Sequence, residues 1–563
     1  MLNLKLVPDH YSESELVRHN APYLMILALV IAVSALGQWL YFQPKMNTDM
    51  QVWLNIARDL GKPGDLAYAP FYYERVFFTG FLWLSGKVFP LTDNGVLALM
   101  LSLSAVNVLL VAETTRVVAG RLPALLAAAL FAWHPVHLIF GTFLVSDMLA
   151  NPLALGSLLL LALYLRSERF GYLVAAVFIG GLCFFVKSYT AGFGILAMAI
   201  YLLVWLLKGR GSWSRLLAVL IAFLLPILAG HLLHWVVNGD PFFYAKYYAS
   251  YAARVYGDTG LTLNNIFGMA GLKVIYERFG YLSDLYWEYG VFAAAWGIAV
   301  SAFLFFRVRQ SVFHLALACL FFGLLLFLLF APVRVYPLVF VEMQTRYLVL
   351  PVALLAIGGG LAVSHLRRVI NVKWRADAIF AISVLALSGF LVPEFTGDKY
   401  FHRYRVLDYY AVETALHQLD ERPGATLLVP GRYREMFPHT LLTIGPEVAF
   451  FNDKDMATLE RTLESQANRT GSVAVFVPRR QYPRLAENIR ISELKHVPEH
   501  DVADWLIEEL KVQGYEGTPL NVPYTPWRLL GMKIGLRTKG ELVGWMYQRV
   551  PRGAGKTPVQ TDD

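Results

Sequence analysis

Apolar runs of about twenty residues recur along the first 393 residues of this chain, and they limit its folds to those a lipid bilayer permits. The first run, YLMILALVIAVSALGQWLYF from Tyr23 to Phe42, carries no charge. In the hydrocarbon core every backbone N–H and C=O needs an internal partner, so such a run crosses as a helix. The composition agrees. Of 563 residues, 57% are hydrophobic and only 16% are charged, with a mean hydropathy of +0.49; soluble domains carry more charge than this. The first run is too long for a cleavable signal, and no small-residue cleavage pattern follows it.

Eleven spans are expected, at approximately 22–42, 94–115, 122–140, 145–165, 170–187, 190–207, 214–237, 286–306, 312–331, 347–364 and 376–393. Short cytoplasmic loops collect Lys and Arg. One set of connections is basic throughout: the N-terminus 1–20 with Lys5 and Arg18, then TRVVAGR, RSER, KGRGSWSR, RVRQ and HLRRVINVKWR. These mark the cytoplasmic side. The other side holds external loops 43–93 and 238–285, HPVHLIFGTFLVSD, KSYTAG and PVRVYPLVFVEMQTR. A further apolar stretch, Val76 to Leu91, is short and contains Lys87, so it is read as lying flat at the interface. Counting it as a span would invert every later loop.

The residues after 393 are of a different kind. ATLLVPGR and GSVAVFVPRR read as buried strands, and DMATLERTLESQAN reads as a helix after an acidic cap. The expected fold is therefore an all-α polytopic membrane domain, 21–393, followed by a small external α/β domain, 394–550, and a disordered tail, 551–563. The external side is periplasmic in a Gram-negative cell.

Several function classes drop out. The net charge of +8 belongs to the cytoplasmic loops, and no basic stripe or motif points to nucleic acid. Neither GxGxxG nor GxxxxGK[ST] occurs in the C-terminal domain, so nucleotide binding is not implied. Cys183 and Cys319 both lie in apolar runs, which argues against a disulfide framework or a thiolate metal site. His134 and His137, like His231 and His234, are spaced i, i+3. That generic spacing, and the proline inside the first pair, favour packed or interfacial histidines over a metal site.

Two acids converge on the external face. Asp49 follows the first span in NTDMQVW, and Asp147 opens the fourth in FLVSDMLANPLAL. Ionisable groups at such depth are costly and point to function. The plainer readings are a solvated loop acid for Asp49 and a helix N-cap, shared with Ser146, for Asp147. Cations lie on the same face: Arg75 in FYYERVFF, Lys187 at the end of the fifth span, and Arg334 and Arg346 around the last external loop. Each alone could merely snorkel to headgroups. Together with the acids they suggest a phosphate-bearing ligand met by a separate base. Glu74, Tyr244, Tyr247, Arg334 and Glu342 are the candidate lining of a substrate groove.

NTDMQVW, SDMLANPLALGSLLLLALYL, the late QTRYLVLPVALLAI and the C-terminal α/β domain together resemble the GT-C membrane glycosyltransferases over roughly residues 20–395. The nearest branch is the dolichyl- or polyprenyl-phosphate-sugar-dependent one, which includes protein O-mannosyltransferases and the lipid A aminoarabinose transferase. The resemblance implies inverting transfer of a sugar from a polyprenyl-phosphate donor to a hydroxyl of a glycan, lipid or protein at the outer face. It implies Asp49 as general base, Asp147 as the second-loop acid, and Arg346 with Tyr347 near the lipid phosphate. Lys187 and Arg75 are phosphate partners by position. Protein O-mannosyltransferases often carry adjacent acids in the first loop, whereas Asp49 stands between Thr48 and Met50, which weakens the case for a protein acceptor. No cofactor is required, and no motif supports a divalent metal. A transporter or flippase would favour inverted repeats, and no convincing repeat is visible. An oligosaccharide ligase or polymerase is the enzymatic alternative and lacks the first-loop acid pattern.

The loop charges make a direct prediction. A phosphatase fused to the C-terminus should be active, and a reporter that fluoresces only in the cytoplasm should stay dark. The reverse outcome would remove Asp49 and Asp147 from the external face.

Overall fold

In a computed structural model the described residues are 6, 21–41, 53, 75–89, 93–141, 144–209, 211–246, 269, 272–274, 276, 278, 291–330, 332–334, 339–340, 345–369, 412, 414–416, 418–419, 425–430, 447–451, 461, 463, 472–478, 503–522 and 541–549. They fall in two units, divided in the C-terminal direction between Phe395 and Thr396.

The first unit is helical. Its elements are α1 (Ala21–Tyr41), α2 (Val76–Ser85), α3 (Asp93–Ala119), α4 (Arg121–Ala132), α5 (Pro135–Phe140), α6 (Asp147–Ser167), α7 (Phe170–Leu182), α8 (Gly192–Lys208), α9 (Trp213–Asn238), α10 (Val291–Arg307), α11 (Val312–Phe330) and α12 (Val349–Val369). Seven helices among the described residues are long and apolar enough to cross a membrane, and the chain is a multi-pass membrane protein. Helix α2, at ten residues, is about 15 Å long, roughly half the hydrocarbon thickness. The expected span 376–393 lies outside the described residues.

Two expected spans are interrupted, each for a local reason. The run 122–140 breaks at Trp133 and His134 because Pro135 has no N–H to continue the helix and disfavours helical backbone before it. Pro135 instead opens α5, with His134 Nδ1 accepting from the Val136 amide. The run 170–187 leaves the α-helix at Leu182 and continues as two 3₁₀ turns, Cys183–Phe185 and Ser188–Ala191. Between them Lys187 is extended, at φ −157° and ψ 102°.

Helix α12 is the centre of the bundle, packed against α3, α4, α10 and α11. Helix α6 packs on α3 and α7, and α7 also packs on α8 and α9. The basic loops meet at one end. There Arg166 donates to the Val117 carbonyl at 2.6 Å, Lys208 pairs with Glu168 at 2.5 Å, and Arg307 meets His365 at 2.7 Å. The other end holds the first turn of α6, the turn between α7 and α8, and the 3₁₀ turn Thr345–Leu348 that leads into α12.

The second unit carries a five-stranded sheet in the order β4-β3-β5-β7-β6, with β3 (Ala425–Pro430), β4 (Glu447–Phe451), β5 (Ser472–Pro478), β6 (Tyr515–Val522) and β7 (Glu541–Arg549). Strands β4, β3 and β5 are parallel; β7 runs antiparallel to β5, and the edge strand β6 pairs antiparallel with β7. A two-stranded pair in the first unit, β1 (Pro332–Arg334) and β2 (Val339–Phe340), lies after α11. Both strands expected in the C-terminal region are present as β3 and β5. Residues 473–477 of β5 are all buried, as suits a central strand covered on both faces. In the expected helix 455–468 only Arg461 and Leu463 are described, and both are helical. Helix α13 (Ala503–Val512) feeds β6 through Gly514, whose φ of +81° favours glycine. Leu510 of that helix joins Leu428, Val473, Val475, Val477, Tyr515 and Tyr547 in one core.

The α7–α8 hairpin is set by contact between backbones. A Cβ on Gly180 would run into the Cα and N of Gly194, and backbone cannot swing aside. Gly156, inside α6, has open space at the same position. An Ala at an open helical site normally stabilises by about 0.5–1 kcal/mol. Gly156→Ala should therefore leave the melting temperature unchanged or raised, and Gly180→Ala should lower it. Equal behaviour of the two variants would refute the close approach.

Candidate active site

Helix α6 begins where a carboxylate is welcome. Asp147 is its first residue, and the amide groups of a helix N-terminus favour negative charge. The side chain does more than sit at that end. Asp147 Oδ2 lies 3.1 Å from Lys187 Nζ, and Asp147 Oδ1 accepts from the Tyr189 hydroxyl at 2.9 Å. Both charged side chains are buried, with relative exposures of 4% and 9%. Neither ion would be stable there alone, since each would lose its hydration.

Lys187 and Tyr189 reach Asp147 because of the break between the 3₁₀ turns. An unbroken helix would carry residues 187 and 189 on different faces. The turn is held by Thr190 Oγ1, which donates to the Lys187 carbonyl at 2.7 Å. The Lys187 ammonium also stands over the Tyr347 ring, 4.6 Å from its centroid, a cation–π contact. Tyr347 belongs to the 3₁₀ turn Thr345–Leu348, so three separate segments share one charge.

Arg75 approaches from the N-terminus of α2, where its carbonyl accepts from the Thr79 amide. Its guanidinium donates to Ser146 Oγ and lies 5.8 Å from the centroid of Trp53. Trp53 is buried and packs edge-to-face on Phe78 at 4.8 Å.

Arg75, Lys187, Tyr189 and Tyr347 border a cavity of about 90 Å³. Arg75 and Lys187 supply its cations, and Tyr189, Tyr244, Tyr347, Phe184 and Phe327 its aromatic walls. Tyr244 packs on Phe184 at 5.7 Å and on Phe185 at 5.5 Å. Phe185 in turn touches both His231 and His234. Two cations on one small, aromatic-walled space suit an anion carrying an apolar or sugar substituent.

The histidine pairs have packing partners. His137 is buried, with Nε2 3.0 Å from Ser104 Oγ and Nδ1 3.3 Å from the Ala132 carbonyl. His231 Nδ1 donates to the Pro241 carbonyl at 2.7 Å.

Of the residues singled out by sequence, Asp147, Lys187, Arg75, Tyr347 and Tyr244 come together here. Asp147 stands behind the cavity wall, and its carboxylate is the brace of Lys187. The backbone of Arg346 lies in the 3₁₀ turn with Tyr347, and that of Arg334 lies in β1; their side chains are outside the described set. Asp49, Glu74, Tyr247 and Glu342 also lie outside the described residues. Sequence reasoning missed Tyr189 and gave Ser146 only a capping role. A tyrosine two residues from a candidate lysine in a short inter-helix turn was the available signal.

Residues 76–233, from α2 into α9, match the family model of dolichyl-phosphate-mannose-protein mannosyltransferase. Asp147, Lys187 and Tyr189 fall inside that match, and Arg75 directly precedes it. No curated protein matches the chain. Among solved structures it is similar to the Archaeoglobus fulgidus oligosaccharyltransferase tethered to an acceptor peptide containing the NVT sequon, at TM-score 0.46 and 14% identity over 83% of this chain and 70% of that one. The same archaeal protein in complex with Zn and sulfate gives TM-score 0.44 and 15% identity over 80% and 68%.

The Asp147–Lys187 pair can be tested by removing its halves. Asp147→Asn and Lys187→Met should each destabilise by about 3–5 kcal/mol, because each leaves a buried partner uncompensated. The double variant should cost clearly less than the sum, read from thermal melts in detergent. Additive losses would mean that the two residues do not interact.

Proposed function

We propose that this chain, a GT-C-type membrane glycosyltransferase, moves a sugar from a polyprenyl-phosphate donor to an acceptor hydroxyl of a glycan, lipid or protein. One observation carries the reading: Arg75 and Lys187 face a single aromatic-walled cavity, held there by Ser146, the N-cap of α6, and Asp147, its first residue. In this reading the donor phosphate binds between those cations, with Arg346 and Tyr347 beside it. Its isoprenoid tail stays in the bilayer.

The chemistry follows from charge. As the bond from the anomeric carbon to the phosphate oxygen breaks, negative charge grows on the leaving phosphate. Prearranged Arg and Lys stabilise that charge without reorganising. The acceptor hydroxyl needs a base within hydrogen-bond reach as it attacks, and Asp49 is assigned that role. One direct displacement inverts the anomeric centre. The reading needs no metal, because the protein's own cations meet the leaving group. Asp147 acts as the residue that orients Lys187. Reaction occurs at the outer face, with residues 1–20 cytoplasmic, 21–393 in the membrane and 394–550 external.

Mass spectrometry of cell-envelope lipids and glycans tests this. Cells lacking the protein should accumulate a polyprenyl-phosphate sugar and lose one glycan modification. Asp49→Asn should reproduce that phenotype, since loss of a general base slows turnover by about 10²–10⁴-fold. Arg346→Ala should raise the donor KM, and Arg346→Lys should rescue it only in part, because Lys lacks the bidentate fork. An unchanged lipid pool in the deletion strain would contradict the donor assignment. Full activity of Asp49→Asn would contradict the base.

A further inference from the structure

We infer that Ser146 is a positioning residue for the donor anion: its hydroxyl fixes the Arg75 guanidinium, so that the neighbours Ser146 and Asp147 present two cations to one cavity. The inference rests on the donor-phosphate reading of that cavity.

Ser146 occupies the N-cap position of α6, where a serine side chain normally accepts from an amide two or three residues on. Here the side chain makes no such bond. The helix does not need it. The Met148 amide donates to the Val145 carbonyl at 2.9 Å, and the Leu149 and Ala150 amides donate to the Ser146 carbonyl at 3.2 and 3.0 Å. With its backbone neighbours satisfied, the fully buried hydroxyl accepts from Arg75 Nη1 instead.

Arg75 needs such a brace. It starts the short helix α2, and its side chain must cross to the α6 terminus to reach the cavity. An arginine that grips an anion loses rotamer freedom, and fixing it beforehand lowers that loss. Trp53 covers one face of the guanidinium, and Ser146 holds one of its N–H groups. A guanidinium has five N–H donors in a fixed fork, so holding one of them sets the direction of the others. Asp147 does the equivalent for Lys187. Consecutive residues thus aim both cations, and a shift of the α6 terminus would move them together.

Binding of undecaprenyl monophosphate to the full chain in lipid nanodiscs tests this. Ser146→Ala should weaken binding by about three- to tenfold, with the melting temperature unchanged. Ser146→Thr, which keeps the hydroxyl, should bind like wild type. In an Arg75→Ala background Ser146→Ala should have no further effect, because it acts only through the guanidinium. Unchanged affinity in Ser146→Ala with a lowered melting temperature would restore the simple helix cap and overturn the inference. Equal weakening with and without Arg75 would overturn it as well. If the wild-type protein does not bind undecaprenyl monophosphate, the donor-phosphate reading itself falls, and this inference with it.

Discussion

The buried ion pair between Asp147 and Lys187 is the constraint on which the rest of the site depends. Two charges at about one-tenth exposure or less are stable only if each is fully engaged. Asp147 meets that demand with Lys187, with Tyr189 and with the N-terminal end of α6. Lys187 meets it with Asp147 and the Tyr347 ring. The pair therefore ties the start of α6 to the α7–α8 turn and to the entry of α12. The close approach of Gly180 and Gly194 brings α7 and α8 near enough for that turn to be tight.

The same pair sets the electrostatics of the cavity. Asp147 balances Lys187, so the charge of that ammonium is partly offset at the cavity. That suits a ligand that must leave again. A unit charge at 4 Å from an anion gains about 4 kcal/mol at an effective dielectric near 20. On the proposed reading, two such contacts weakened by a nearby carboxylate would bind a lipid phosphate without trapping it once spent. In the proposed reaction the leaving phosphate would gain charge in the transition state, its attraction to both cations would grow, and that difference is what accelerates a reaction.

Much of the fold was legible because the bilayer imposes a simple rule. Apolar runs of span length become helices, and α1, α3, α6, α8, α9, α11 and α12 lie where such runs predict. The run 122–140 was expected as one span, although Pro135 already marked the break that the structure shows, since proline cannot extend the preceding helix. The connection KSYTAG was read as a turn between spans, but the early end of the helix in the 3₁₀ turn Cys183–Phe185 was not legible, because CFFV continues the apolar run without a proline or glycine to mark a stop. The pairing of Asp147 with Lys187 and Tyr189 joins residues forty and forty-two positions apart, which no local pattern reports. Placing acids and cations on one face suggested a phosphate site. It did not reveal that Asp147 would turn towards Lys187, or that Ser146 would serve Arg75 in place of its own helix.

The most direct test of this account is an electron-microscopy structure of the full chain in a lipid nanodisc with undecaprenyl monophosphate bound. The account predicts phosphate density within hydrogen-bond distance of both Lys187 Nζ and the Arg75 guanidinium, with the isoprenoid leaving towards the bilayer and the Asp147–Lys187 pair intact. Phosphate bound elsewhere on the protein, away from both of these cations, would contradict it.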